Sequence, residues 1–216
     1  MTSSIENTLE KKQSEDDFAQ VEINTPFDKD WLLDFIHDPH RVLRINSLFE
    51  FTAFELVNDK ADTSSWRMAG KYLSNDQPFD VTFTTQATAS GILLSYKGWL
   101  KNSTELLLKK GDDDNYSLLI TDDYSGTSVE QREQRITEVD NTIVPWANDI
   151  YRYLQQWKRW SWLPGFQFYM LKFWPKMKPS ARRISFMLMA ITAAEFVLFL
   201  FVFVIFYLEL PGMLLS

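Results

Sequence analysis

The two histidines of the chain, His37 and His40, stand three residues apart in IHDPH with Asp38 between them. Imidazole and carboxylate at that spacing are the residue types of a metal site or of acid–base chemistry. Pro39 shapes the segment as a turn, however, and no third ligand stands nearby, so the stretch reads as a helix terminus. GDDDN (111–115) gathers three carboxylates, but it has neither the ligand spacing nor the terminal Glu of a calcium loop and reads as a hairpin turn. No glycine-rich phosphate loop, G-x-S-x-G elbow or H-E-x-x-H occurs. The absence of cysteine excludes disulfides, thiolate zinc sites, iron–sulfur clusters and a Cys nucleophile, and fits a reducing compartment. The sequence therefore nominates no catalytic residue, no metal-ligand set and no cofactor.

Charge and aromatic surface are concentrated elsewhere. The chain has a net charge of -7, yet Trp157–Arg183 holds seven Lys or Arg, no Asp or Glu, and four of the eight tryptophans. Residues 1–157 carry 15 cations against 27 carboxylates, a balance that argues against nucleic acid as a partner. Directly after this basic stretch, Ile184–Leu208 runs for 25 residues with Glu195 as its single charged group. As a helix it would be roughly 37 Å long, enough for a hydrocarbon core of about 30 Å, so it reads as a transmembrane helix. Lys172, Lys176, Lys178, Arg182 and Arg183 precede the span and no cation follows it. The positive-inside rule then keeps the large N-terminal part cytoplasmic, with a bacterial inner membrane as the expected location. The polar start, MTSSIENTLEKKQSEDD, lacks the apolar core of a signal peptide, so the expected topology is a single-pass tail anchor.

The basic stretch then takes its meaning from the span beside it. Trp160, Trp162, Phe166, Tyr169, Phe173 and Trp174, interleaved with the cations, are what the headgroup region favours, and membrane lipid is the expected partner. Within the span, Ala190, Ala193 and Ala194 form a small-residue patch next to Glu195. A carboxylate at bilayer depth costs a few kcal/mol unless paired or protonated. The face carrying Ala190, Ala194 and Glu195 is therefore expected to meet another membrane protein or a second copy of the chain, the alternative being a neutral Glu facing lipid.

Between a disordered tail (1–17) and the basic connector (158–183) lies a strand-rich body, 18–157. QVEINTPF (20–27) alternates, and DKDWLLDFIHD follows as a short helix ended by Pro39, with HRVLRINS as a further helical turn. Six strand-like runs succeed one another at 48–57, 64–73, 78–89, 91–100, 104–110 and 116–124. Short turns at Asn58-Asp59, Asn75-Asp76, Gly91, Asn102-Ser103 and Gly111-Asp112 join them, which predicts an antiparallel meander. A long helical pattern closes the body through Ile136, Val139, Ile143, Trp146, Ile150, Leu154 and Trp157, with Pro145 kinking or restarting it. Alternation puts Trp66, Met68 and Tyr72, then Phe79, Val81 and Phe83, then Ile92, Leu94 and Tyr96 on one sheet face. Ile136, Val139, Ile143 and Ile150 supply the helix face opposite. A filled core and a ligand-sized cavity share this pattern.

The order strand, two short helices, six-stranded meander, long helix resembles the START/Bet v1-like superfamily, which includes polyketide cyclases and coenzyme Q-binding START-like proteins. FDKDWLLDFIHDPHRVLRINSLFEF (27–51) is the closest local likeness, and the resemblance covers about residues 18 to 160. It implies an α+β helix-grip fold, a curved antiparallel sheet wrapped on the last helix, with an apolar ligand such as a lipid or quinone between them. The expected protein is a membrane-anchored domain that binds, transfers or presents such a ligand. The alternative is an accessory subunit docked into a membrane complex through the Glu195 face, and a cyclase-like enzyme is a third reading without catalytic groups to support it. Residues 209–216 would form a short far-side tail.

Overall fold

The computed structural model describes residues 18–60, 63–111, 115–125 and 142–213. Two compact units divide the chain, one ending at Lys176 and the other beginning at Met177.

The first unit is built on one seven-stranded antiparallel sheet. Its strands are β1 (Phe18–Asn24), β2 (Phe49–Asp59), β3 (Ser64–Tyr72), β4 (Pro78–Thr88), β5 (Gly91–Lys97), β6 (Ser103–Lys110) and β7 (Tyr116–Asp123). The spatial order is β1-β7-β6-β5-β4-β3-β2, so the last six form the expected meander and β1 joins the far side of β7. Between β1 and β2 the chain crosses from one sheet edge to the other through α1 (Lys29–Ile36) and α2 (Pro39–Arg44). Asp28 caps α1 by accepting from the Trp31 amide at 2.9 Å, and Asp38 caps α2 by accepting from the Arg41 amide at 3.0 Å. Pro39 sits at the start of α2, where its missing N–H removes no helical bond.

Helix α3 (Ile143–Trp160) closes the domain. Pro145 lies in its first turn, where a proline is tolerated, so the described helix begins beside that residue rather than bending at it. Ile136 and Val139 lie outside the described residues. Ile143, Trp146, Ala147, Ile150, Tyr153, Leu154 and Trp157 are buried at three- and four-residue spacing, the apolar stripe of a helix laid on a sheet. Trp146 donates its indole N–H to the Val42 carbonyl at 3.1 Å, and Asp149 accepts from the Ser47 amide at 2.8 Å, so α3 also holds the α2–β2 turn.

Strand alternation sends Met68, Phe79, Val81, Phe83, Ile92, Leu94, Leu106, Leu118 and Ile120 into the common core. Two irregularities shape the concave face. A bulge in β2 between Phe51 and Ala53 shifts the register, so that Phe49, Phe51 and Phe54 all present rings to the same side. Gly70 permits this: a Cβ there would lie 2.2 Å from the Glu50 carbonyl oxygen. In the middle of the sheet β5 stops at Lys97, three residues before the end expected from the pattern. Gly98 follows with φ +72°, a left-handed turn open to glycine, and it brings Trp99 and Lys101 back toward the core.

After α3 the chain runs through an irregular helical connector: one α-turn (Phe166–Phe168), a π-turn (Tyr169–Phe173) and a 3-10 turn (Trp174–Lys176). The second unit is dominated by α4 (Pro179–Met213), whose stretch Pro179–Leu208 has mean hydropathy 2.6 and is long and apolar enough to cross a membrane.

Candidate functional site

The inner face of the sheet gathers the residues predicted to face a ligand. Met68, Phe79, Val81, Phe83, Ile92, Leu94, Tyr96, Ile143 and Ile150 are buried, while Trp66 and Tyr72 are half-buried at the β3 side. The aromatic members touch edge to face or stacked: Phe49 meets Tyr72 at 5.1 Å and Phe79 at 5.4 Å, Phe54 meets Trp66 at 5.8 Å, and Trp66 stacks on Phe83 at 6.5 Å. A small recess remains beside Phe49, Tyr72, Trp99, Lys101, Tyr124 and Thr142, with a volume of about 20 Å³, the size of one water molecule.

Lys101 brings to this recess a polar cluster that the sequence pattern does not announce. Its ammonium binds Asp122 at 2.8 Å and lies among the rings of Tyr96, Trp99 and Trp146 at 5.8, 5.2 and 5.7 Å. Asp122 is fully buried and also accepts from the Thr104 hydroxyl, and the Tyr124 hydroxyl lies 3.4 Å away. The Tyr96 hydroxyl donates to Thr104 at 3.2 Å. Burial first, and the Asp122 charge second, push both the Tyr96 and the Tyr124 phenols well above the usual tyrosine range, so both stay neutral donors. One signal was available: Leu118, Ile120 and Asp122 share the inward face of β7, and a carboxylate there demands a buried partner.

A second group of cations lies on α2. Arg41 is 5% exposed, and its guanidinium sits over Trp31, Phe35, Tyr153 and Trp157 at 4.7 to 5.4 Å. Its Nε donates to the Tyr153 hydroxyl at 2.8 Å. Arg44 projects over Phe51 and Phe54 at 5.8 and 5.5 Å, and its Nη1 donates to the Pro175 carbonyl at 3.2 Å. His40 meets Phe54 edge-on at 5.0 Å. Burial, then Arg44 and more weakly Lys176, lower the His40 imidazole below its ordinary value, with Asp38 opposing. His37 points elsewhere, its Nε2 donating to the Gly91 carbonyl at 3.0 Å. The two histidines thus do not converge, and among the described residues no three His, Asp or Glu are placed to hold a metal ion.

The connector splits its aromatic residues between two environments. Met170 is buried, and Phe166, Tyr169 and Trp174 pack back on the domain, Trp174 meeting Tyr153 at 5.2 Å and Phe166 meeting Trp157 at 6.0 Å. Trp162, Phe168, Leu171 and Phe173 are exposed, with Lys172 and Lys176 beside them and Trp160 half-buried at the end of α3. In the second unit, Lys178 precedes α4 and Arg182 lies in its first turn, while Ala190, Ala194 and Glu195 are exposed along it; the side chain of Arg183 lies outside the described residues.

No protein-family model matches the sequence, and no curated protein matches it. Solved structures do match. The Zhui aromatase/cyclase from Streptomyces sp. R1128 superimposes with a TM-score of 0.55 at 15% identity, over 67% of this chain and 97% of that one. A protein from Thermus thermophilus gives 0.51 at 7% identity, over 64% and 97%. The two-domain aromatase/cyclase StfQ from the steffimycin biosynthetic pathway gives 0.50 at 6%, over 66% of this chain and 52% of that one. At such identities the likeness speaks for architecture alone. An antiparallel seven-stranded sheet gripping a C-terminal helix, with two short helices after the first strand, is the helix-grip fold, and residues 18–160 of this chain share that fold with the aromatase/cyclases.

Proposed function

We propose that the domain binds an apolar ligand of the lipid or quinone class at the surface of a membrane and holds or hands it on there. One observation carries the reading: the aromatic face of β2 and β3 is left half-open, with Phe51, Phe54, Trp66 and Tyr72 partly accessible at the side of the sheet away from β1. A soluble domain that had only to fold would gain by covering such a face. The membrane location is supported by the length and apolarity of α4 and by the exposed Trp162, Phe168, Leu171 and Phe173 among the connector's cations. Lys172, Lys176, Lys178, Arg182 and Arg183 ahead of the span favour the cytoplasmic side for the domain. Gentle purification followed by native mass spectrometry tests the reading. A stoichiometric apolar molecule is expected; an empty protein that also fails to bind the neutral probe N-phenyl-1-naphthylamine would end it.

A second reading has its own support. Glu195 is exposed on α4 beside Ala190 and Ala194, a face suited to close packing against another span, which fits an accessory subunit of a membrane complex or self-association. Glu195→Leu should then dissolve a complex isolated from the membrane, and an unchanged assembly would remove this reading.

A further inference from the structure

The half-open β2–β3 face on which the ligand-binding reading rests carries features that bear on what kind of ligand it takes. On β2 the bulge aligns Phe51 and Phe54, and two residues further along that strand Leu56 lies opposite Trp66. Leu56 is 48% exposed, and these residues form an apolar trough along the free edge of the sheet. The Trp66 indole N–H is buried in that wall and has no acceptor among the described residues. An unused donor in an apolar wall costs free energy until something accepts from it. The rim is basic. Arg44 lies over the Phe51 and Phe54 rings, His40 meets Phe54, and Lys176, one residue after the carbonyl that Arg44 binds, acts on the same His40. Asp38 is the carboxylate that acts on His40, and its Oδ1 already caps α2.

We propose that this trough is a binding site for one anionic phospholipid, its headgroup phosphate held by Arg44, Lys176 and His40 and an acyl chain lying along Phe51, Phe54 and Trp66. Cations at one end of an apolar strip match an amphiphile whose charge is negative and whose body is hydrocarbon. The Trp66 N–H supplies a donor for an ester carbonyl between the two parts. A phospholipid rather than a free fatty acid is favoured because Pro175 and Lys176 belong to the connector, whose exposed Phe168, Leu171 and Phe173 lie within a few residues. The headgroup site is thus built partly from the segment best suited to rest among headgroups. The inference rests on the ligand-binding reading above and adds to it the charge and position of the ligand.

The test uses the full chain in a neutral detergent, titrated with phosphatidylglycerol and with phosphatidylcholine, each bearing an NBD-labelled acyl chain. Phosphatidylglycerol should bind at least tenfold more tightly. Arg44→Gln and, separately, the exposed Lys176→Gln should each weaken it by about tenfold, the loss of one charge-assisted bond, and weaken phosphatidylcholine, whose phosphate is offset by its choline cation, by less. Trp66→Phe should weaken both lipids by a few fold. Equal binding of the two lipids, or indifference to Lys176→Gln in a protein with unchanged circular dichroism, overturns the proposal. So does oleate that displaces the labelled lipid and binds more tightly than it, which would make the site one for fatty acids. If N-phenyl-1-naphthylamine binds while neither phospholipid does, this proposal falls and the broader reading stands; if nothing binds, both fall.

Discussion

Lys101 and Asp122 offer the sharpest test of the interior as described. Asp122 is fully buried, and the Lys101 side chain is 11% exposed. Lys101→Met would leave the carboxylate with the Thr104 hydroxyl and the more distant Tyr124 hydroxyl, neither of which brings a charge. Breaking a buried pair from one side costs about 3–5 kcal/mol, because the remaining charge stays desolvated. Asp122→Asn should cost less, about 1–3 kcal/mol, since the lysine stem can swing its ammonium toward water. In the double variant neither charge is stranded, so its loss should be smaller than the sum of the two by at least about 1 kcal/mol. Urea denaturation of the full chain in neutral detergent, followed by tryptophan fluorescence, reads all four corners; Trp99 and Trp146 lie beside the ammonium and report locally. Arg67→Gln serves as a control, because the Arg67–Asp80 pair is bidentate at 2.9 and 2.6 Å yet exposed, and its loss should not be measurable. Single variants that simply add, or a Lys101→Met protein within about 1 kcal/mol of the parent, would show that water reaches the pair and would refute the argument.

Three further outcomes follow from the same packing. Tyr153→Phe removes the oxygen that accepts from Arg41 Nε inside its aromatic box, and should cost about 1–3 kcal/mol in the same denaturation experiment; no loss would mean the guanidinium has another acceptor. Gly70→Ala, which in an ordinary strand would stabilise, should here destabilise by about 1–3 kcal/mol, since its Cβ would collide with the Glu50 carbonyl, and a stabilised variant would disprove the β2 register. His40 has its folded-state pKa lowered, so as the pH falls below about 6.5 the unfolded chain takes up its proton first and stability drops. His40→Gln should flatten that decline below about pH 6.5, and an unchanged slope would assign it to other groups.

The strands were legible because alternation against a core is a local signal: Phe79, Val81 and Phe83 declare their face within five residues. The helix-grip order was legible for the same reason. What escaped was set by single residues whose effect is tertiary. Gly98 at φ +72° ends β5 early and turns Trp99 inward, where its indole donates to the Tyr72 hydroxyl at 2.7 Å; by alternation alone Trp99 belongs to the outer face. Lys101, just before the turn at Asn102-Ser103, is brought by the same reversal against the buried Asp122. Arg41 reads as a surface cation of a short helix, and only the approach of Trp31 and Trp157 encloses it. In the connector, a regular helix would set Phe166 and Phe173 on one stripe. The π-turn at Tyr169–Phe173 changes the facing, so Phe166 packs on Trp157 while Phe173 points to solvent.

The two polar groups of the domain have opposite characters, and that difference assigns them different work. At the recess, Lys101, Asp122, Thr104, Tyr96 and Tyr124 satisfy one another in a volume that admits a single water, so a ligand entering there would have to displace bonds already made. Their arrangement stabilises the meeting of β5, β6 and β7 with α3. Along β2 the case is reversed: the rings are half-open, the Trp66 donor lacks an acceptor among the described residues, and Arg44, His40 and Lys176 lie at the rim. Binding free energy is gained where desolvated groups are still unmatched, and the proposed site at the β2 edge offers such a group in the Trp66 N–H, next to the segment whose aromatic and cationic residues suit a membrane surface.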